Sequence, residues 1–452
     1  MRQVLREQLP SAWFDENGLL QPDAPSIAFL AFNGYYFIVS FLAIAARGGI
    51  RVPLCKSEHS DYGRKANCIL VDKGCSEMAL AIKDFAQNAA GQQLTVHPVT
   101  RAEPNTAPKF ETDEQLTSSP DTGCLVLFTS GTTSVPKGVF LSRRLFYSTQ
   151  DPLDLDGLYL STSSVHWIGG STGLIDSVLY GQKLHIVKGD CGAAKRWELL
   201  KAGTITEMSV SPTALRELKD YDNENISCLA PEDRDEYING ARKLKVVYSS
   251  GSPLHPSTRQ FFVDLTGMPF MNGYGITEMG GGVMIASADP EFWEGYIGTP
   301  MEGRTVKLSD GDHGEILVKH PRMFIKYMND EAAPRAAFDE EGFYKPSDYA
   351  HRVEDNYFFD GRVSSDFAYK LPPLLRVLQD EEQVPLTTTG KQLKREALQK
   401  YFHISGYMPA DYAVEGVEYW GNKIEMDASA RAVDWGAFII VFGWCYRCGY
   451  KS

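Results

Sequence analysis

The sequence predicts an α/β protein of more than one domain. Apolar runs of strand length recur along it, at residues 26–32, 68–72, 125–128 and 244–248. Helix-like stretches alternate with them, at residues 35–46 and 77–86 and within 209–218. The third observation is size: 452 residues exceed one ordinary domain. Hydrophobic content of 43% and charged content of 23% are ordinary globular values, so a large core is within reach.

Taken in order, residues 1–25 are polar and charged and carry no secretory signal. Residues 26–46 lack charge for about the length of a membrane span. Asn33-Gly34 interrupts them, so they read as a buried strand, a turn and a helix ended by Gly48 and Gly49. No transmembrane segment is expected. Residues 68–72 read as a strand and 77–86 as a helix; the polar, Pro- and Thr-containing stretch 95–119 reads as a surface connection.

The organising stretch is LVLFTSGTTSVPKGV, residues 125–139. A buried strand ends there in Thr129, Ser130, Gly131, Thr132 and Thr133, then Pro136, Lys137 and Gly138. Such a loop can wrap backbone N–H groups round an anion, its hydroxyls add donors, and Lys137 adds a point charge suited to phosphate. It is not a Walker loop, because Gly138 stands where that motif needs Ser or Thr. A helix is expected after Arg143 and Arg144, a strand at 184–187, a strand end running into a helix at 209–218, and an acidic loop at 220–235.

Net charge is −13, so a nucleic-acid partner is not expected. The eight cysteines are scattered; Cys445 and Cys448 form a CxxC without the second pair of a zinc site. Reduced thiols in a cytoplasmic protein are the simplest reading.

Two ordered signatures make the chain resemble the adenylate-forming superfamily of acyl-CoA synthetases, luciferases and peptide-synthetase adenylation domains. One is the stretch at 125–139; the other is NGYGITEMGGG at 272–282. The run "SIAFLAFNGYYFIVSFLAIAARGGIRVPL", the glycines of 298–303 and 314–316, and GFYKPSD at 342–348 follow the family's order. The implied fold is a large domain of layered α/β sheets with a β-rich subdomain, over residues 1–365 and shortened at its N-terminal side. A remnant of the small C-terminal domain follows at 366–402, then an unassigned tail at 403–452.

The resemblance implies site residues. Thr129, Ser130, Gly131, Thr132, Thr133, Lys137 and Gly138 would hold the ATP phosphates. Gly251, Ser252, Pro253, Asn272, Gly273, Tyr274 and Gly275 would surround the adenine, with Tyr274 offering a ring to stack on. Thr277 would approach the phosphates and Glu278 would hold Mg²⁺. Asp348 and Arg362 would reach the ribose, His166 and Trp167 would line the acyl pocket, and Asp366 would be the hinge. In VPLTTTGKQLKR, Lys391 matches the family's catalytic lysine. Departures stand at Ser134, Ser250, Pro346 and Ser347, where the family has other residues.

Asp366 and Lys391 are only 25 positions apart, less than one βαβ unit of about 30 residues. Most of the small domain is therefore missing, through specialisation or through mis-splicing of a longer enzyme. The implied activity is an acid–thiol ligase that makes an acyl-adenylate from a small carboxylic acid and ATP, then transfers the acyl group to coenzyme A. Two alternatives stay open: a nucleotide-binding pseudoenzyme, and an adenylating enzyme that loads the thiol of a separate carrier protein. Gly273 stands where malonate-activating relatives carry an arginine, which points to a monocarboxylic acid.

Overall fold

The computed structural model of the chain describes residues 5–7, 9–21, 24–54, 68–101, 117–129, 137–147, 155–189, 191–267, 270–286, 293–328, 337–362, 374–376, 399–403 and 417–419. Two large sheets dominate. The first begins with β1 (Ile27–Leu30), β2 (Arg51–Pro53), β3 (Cys68–Asp72) and β4 (Thr95–Val99), and adds β5 (Gly123–Thr129), β6 (Lys137–Ser142) and the short β16 (Lys326–Tyr327). Its order is β16-β6-β5-β2-β1-β3-β4, parallel from β5 to β4 and antiparallel at β5-β6 and β6-β16.

The second sheet has a parallel half and an antiparallel half. β7 (Leu158–Ser161), β8 (Lys183–Ile186), β9 (Glu207–Val210), β10 (Val246–Ser250) and β11 (Phe270–Ile276) are parallel, in the order β11-β10-β9-β7-β8. From β11 outward the pairings turn antiparallel through β12 (Gly281–Ala286), β13 (Tyr296–Pro300), β18 (Asn356–Arg362), β17 (Asp348–Val353), β15 (His313–Lys319) and β14 (Thr305–Asp310). A separate pair joins β19 (Leu374–Arg376) to β20 (Val417–Tyr419).

Alternation along the strands builds the layers. Ala28, Leu30, Ile69 and Val71 face outward onto Ala79, Ile82 and Ala86 of the helix Ser76–Ala90. Ile27, Phe29, Cys68 and Leu70 face inward, where the helices Tyr35–Ala45 (α1) and Ile168–Tyr180 (α3; Ser76–Ala90 is α2) fill the space toward the second sheet. Leu160, Met208, Val210, Val247 and Phe270 face away from the first sheet onto α4 (Ala193–Lys201), α5 (Pro212–Tyr221) and α7 (Pro256–Thr266). Both faces of the parallel strands are thus covered, which is why β1, β2 and β3 are buried at every position.

Most predicted elements form within a few residues of their expected bounds. Three differ. β4 is a strand where a connection was expected; it pairs with β3 on one side only, an edge position that tolerates Pro98. Arg143–Phe146 is a short 3-10 turn, since β6 itself runs on to Ser142. The acidic stretch is mostly helical: α5 runs on into a π turn at Asp222–Ile226, and α6 spans Pro231–Ala241. Pro231 opens α6 and Glu232 and Asp233 sit in its first turn, the end where negative charge meets the helix dipole favourably. Among the described residues no helix is long and apolar enough to cross a membrane.

Candidate active site

The turn after β11 meets the end of the β5–β6 hairpin, since Glu278 reaches Lys137 through Tyr327. Thr129 and Lys137 are paired across the hairpin, and the Thr129 hydroxyl donates to the Lys137 carbonyl at 3.4 Å. Ser130, Gly131, Thr132, Thr133 and Ser134, the residues that link them, lie outside the described residues, as do Asp366 and Lys391.

β16 lies along β6 and places Tyr327 opposite Val139. The Lys137 ammonium then sits 5.2 Å from the centroid of the Tyr327 ring, within cation–π range. The Tyr327 hydroxyl donates to Glu278 Oε1 at 3.2 Å and lies 3.3 Å from the Tyr344 hydroxyl. One tyrosine therefore links the expected phosphate lysine to the expected metal carboxylate. Glu278 is buried in the 3-10 turn Thr277–Met279, which Thr277 opens. Its carbonyl accepts from the Phe324 N–H at 2.8 Å, which ties that turn to the segment leading into β16. Burial first, and the Glu278 charge second, push the Tyr327 and Tyr344 phenols far above the usual range. Both therefore stay protonated and act as neutral donors beside the carboxylate.

Tyr274 and Asp348 meet although 74 residues separate them: the Tyr274 hydroxyl donates to Asp348 Oδ2 at 2.7 Å. Tyr274 is 8% exposed and Asp348 2%. The Tyr274 ring also packs against Phe359, at a centroid distance of 6.3 Å. Arg362 pairs with Asp348 across β17 and β18, so both expected ribose residues occupy one register position. Asn272 donates from Nδ2 to the Tyr296 carbonyl at 2.9 Å, and its Oδ1 is buried with no hydrogen-bond partner among the described residues. Gly275 is required sterically, because a Cβ there would lie 2.0 Å from the Gly281 carbonyl oxygen.

Gly251, Ser252 and Pro253 are exposed directly after β10, with Gly251 at φ +95°. Ser250 sits at the strand end without positive φ, so serine costs nothing there. Ser347 differs: its φ is +63°, the left-handed region in which glycine is unstrained. Its N–H donates to Glu315 Oε1 at 3.0 Å, which holds the turn that presents Asp348. His166 and Trp167 connect β7 to α3, half-buried, their rings edge to face at 5.8 Å. They occupy the same end of the sheet as residues 251–253.

Sequence reasoning missed Tyr327 and Tyr344. They matter through contacts across 49 and 17 residues, which no local spacing encodes.

Comparison with known proteins identifies the family and the fold. The family model described as "AMP-binding enzyme" matches residues 11–328, more than half of the chain. The acyl-CoA ligase oryP of Aspergillus oryzae is 32% identical over 359 residues, covering 77% of this chain and 65% of that protein. A malonate–CoA ligase of Arabidopsis thaliana is 25% identical over 380 residues, covering 75% of this chain and 60% of that protein. The chain thus spans about three-fifths to two-thirds of the length of these relatives. Among solved structures, the inhibitor-bound N-terminal domain of FACL13 from Mycobacterium tuberculosis superposes with a TM-score of 0.61 at 19% identity, covering 75% of this chain and 87% of that one. The fold is that of an adenylate-forming N-terminal domain, and the chain belongs to the AMP-binding enzyme family.

Proposed function

We propose that this chain activates a monocarboxylic acid with Mg·ATP and passes the acyl group to the thiol of coenzyme A. The observation that carries the reading is the convergence of Lys137, Tyr327 and Glu278 on one side, and of Tyr274, Asp348 and Arg362 on the other, at one end of the second sheet. The acyl-CoA ligase and malonate–CoA ligase names of its relatives support the same reaction class.

In the first half-reaction a carboxylate oxygen attacks the α-phosphorus of ATP. A C–O–P linkage forms and the bond to pyrophosphate breaks. The Thr129–Gly138 loop would hold the departing pyrophosphate through its N–H groups, the Thr132 and Thr133 hydroxyls and Lys137. Gly251, Ser252, Pro253 and Asn272 would frame the adenine. The orphaned Asn272 Oδ1 is an acceptor fit for its amino group. Asp348, oriented by Tyr274, would accept the ribose hydroxyls beside Arg362.

Glu278 fits Mg²⁺ through hard oxygen chemistry, its carboxylate lying next to the Tyr327 and Tyr344 hydroxyls. The ion, when bound, neutralises charge on the phosphate oxygens. Thr277 would add a hydroxyl, and Lys391 would stand near the attacked phosphorus. In the second half-reaction the thiol attacks the acyl carbon and AMP leaves.

The short interval between the hinge Asp366 and Lys391 removes most of the scaffold that would serve thiol transfer. Adenylation should therefore outpace thioester formation. A single-turnover comparison on the purified chain tests this, following pyrophosphate release and acyl-CoA production with a panel of acids. Release of pyrophosphate that exceeds acyl-CoA formation is expected; no pyrophosphate release with any acid would overturn the reading.

A further inference from the structure

β16 is only two residues long, yet it is tied to both halves of the phosphate end of the site. Lys326 and Tyr327 pair with Phe140 and Val139 of β6. The Ile325 N–H donates to the Phe140 carbonyl at 2.8 Å, and the Met328 N–H donates to the Gly138 carbonyl at 2.7 Å. Just before the strand, the Phe324 N–H donates to the Glu278 carbonyl at 2.8 Å. Residues 324–328 therefore strap β6, which Lys137 opens, to the turn that carries Glu278.

Aromatic packing holds the strap down. The Phe324 ring lies against those of Tyr327, Phe338 and Tyr344, at centroid distances of 4.7, 5.6 and 5.3 Å. Phe324, Tyr327 and Tyr344 are all buried. These ring contacts survive the loss of a phenolic oxygen, so the work of the hydroxyls can be separated from that of the packing.

The two ends of the Tyr327 side chain do different things. Its ring stands 5.2 Å from the Lys137 ammonium, which the ring quadrupole attracts. Its hydroxyl donates to Glu278 Oε1 at 3.2 Å and lies 3.3 Å from the Tyr344 hydroxyl. Tyr327 has a single phenolic proton and gives it to Glu278, so Tyr344 supplies the proton of the second bond. The result is a directed chain, Tyr344 to Tyr327 to Glu278, in which each bond strengthens the next. A carboxylate anchored by one oxygen keeps a fixed plane, and Mg²⁺ demands such near-ideal geometry of its ligands.

We propose that Tyr327 is a positioning residue that couples the metal carboxylate to the phosphate lysine: its hydroxyl, oriented by Tyr344, sets Glu278 for Mg²⁺, while its ring sets Lys137 for phosphate. The two opposite charges are then presented together, so the chain takes up Mg·ATP as one ligand. The inference rests on the nucleotide-site reading above and adds the residue that holds its two charges in place.

The test is calorimetric titration of ATP, in Mg²⁺ and in EDTA, into the full chain and its variants, each first checked by circular dichroism and melting. Tyr327→Phe keeps the ring and removes the hydroxyl. It should weaken Mg·ATP binding by about tenfold, yet leave binding in EDTA within about twofold of the parent. In a Glu278→Gln background the same exchange should change little, because both substitutions break one link. Tyr327→Leu removes the ring as well and should also weaken binding in EDTA, by about threefold. A Tyr327→Phe protein weakened equally with and without Mg²⁺, one not weakened at all, or effects that add fully to those of Glu278→Gln would overturn the inference. The expected pattern in a chain that activates no acid would uphold it and remove only the acid-activating reading. A parent chain that binds no ATP would remove both.

Discussion

Tyr274→Phe isolates the contact that joins the two halves of the nucleotide site. It deletes one oxygen and keeps the ring that packs on Phe359. The lost bond is short, 2.7 Å, and both partners are almost fully buried, so water cannot replace it. A hydrogen bond to a charged group is worth about 1.5–3 kcal/mol, and burial places this one toward the upper part of that range. The bond exists without nucleotide, so its loss should appear first as stability: a midpoint lower by a few degrees in thermal melts of the ligand-free chain. ATP affinity should then fall, by up to about tenfold, because Asp348 loses a contact that orients it toward the ribose. Asp348→Ala should be worse on both counts, since it removes both the ribose acceptor and the carboxylate to which the Tyr274 hydroxyl donates. Calorimetric titration of ATP into the three proteins, beside their melts, reads both quantities. A Tyr274→Phe protein that melts and binds ATP as the parent does would refute the assignment of this pair to the nucleotide site.

Lys137→Ala should lower kcat/KM for ATP by about tenfold or more, through loss of a charge-assisted phosphate contact; unchanged ATP kinetics would count against the hairpin loop. Ser347→Gly should raise stability by about 1 kcal/mol, because φ +63° costs serine and not glycine; a denaturant midpoint at or below the parent's would contradict that strain. Burial pushes the Asp176 carboxyl up to about 6, opposed by the Arg322 charge, and its Oδ1 is buried without a hydrogen-bond partner among the described residues. The folded state thus holds a proton that the unfolded chain releases near its ordinary value. The stability this contributes is present below about pH 4 and is lost as pH rises through about 6. Asp176→Asn cannot ionise, so it should stabilise the chain at pH 7, by up to about 3 kcal/mol, with no gain near pH 4. Melts of both proteins at the two pH values decide it.

How legible the protein was in its sequence follows the range of the interactions involved. The buried strands β1, β3 and β5 announce themselves, because covering on both faces demands uninterrupted apolar runs. Asp348 was legible through its place in a family pattern, and its contact with Tyr274 supplies the physical content. β4 was hidden by Pro98, which only an edge position excuses. α6 was hidden by its acidic composition, which is favourable once it is placed at a helix start. Tyr327 could not be found locally, since its role depends on the register of β16 against β6.

The central claim is that this constellation turns over ATP with a carboxylic acid. Carboxylate-dependent exchange of labelled pyrophosphate into ATP measures that step with no thiol present. The account predicts exchange that needs Mg²⁺ and an acid and that is abolished in both Asp348→Ala and Glu278→Ala. Nucleotide binding without exchange over a broad acid panel would contradict it, and the chain would then be a nucleotide-binding relative that has lost the reaction.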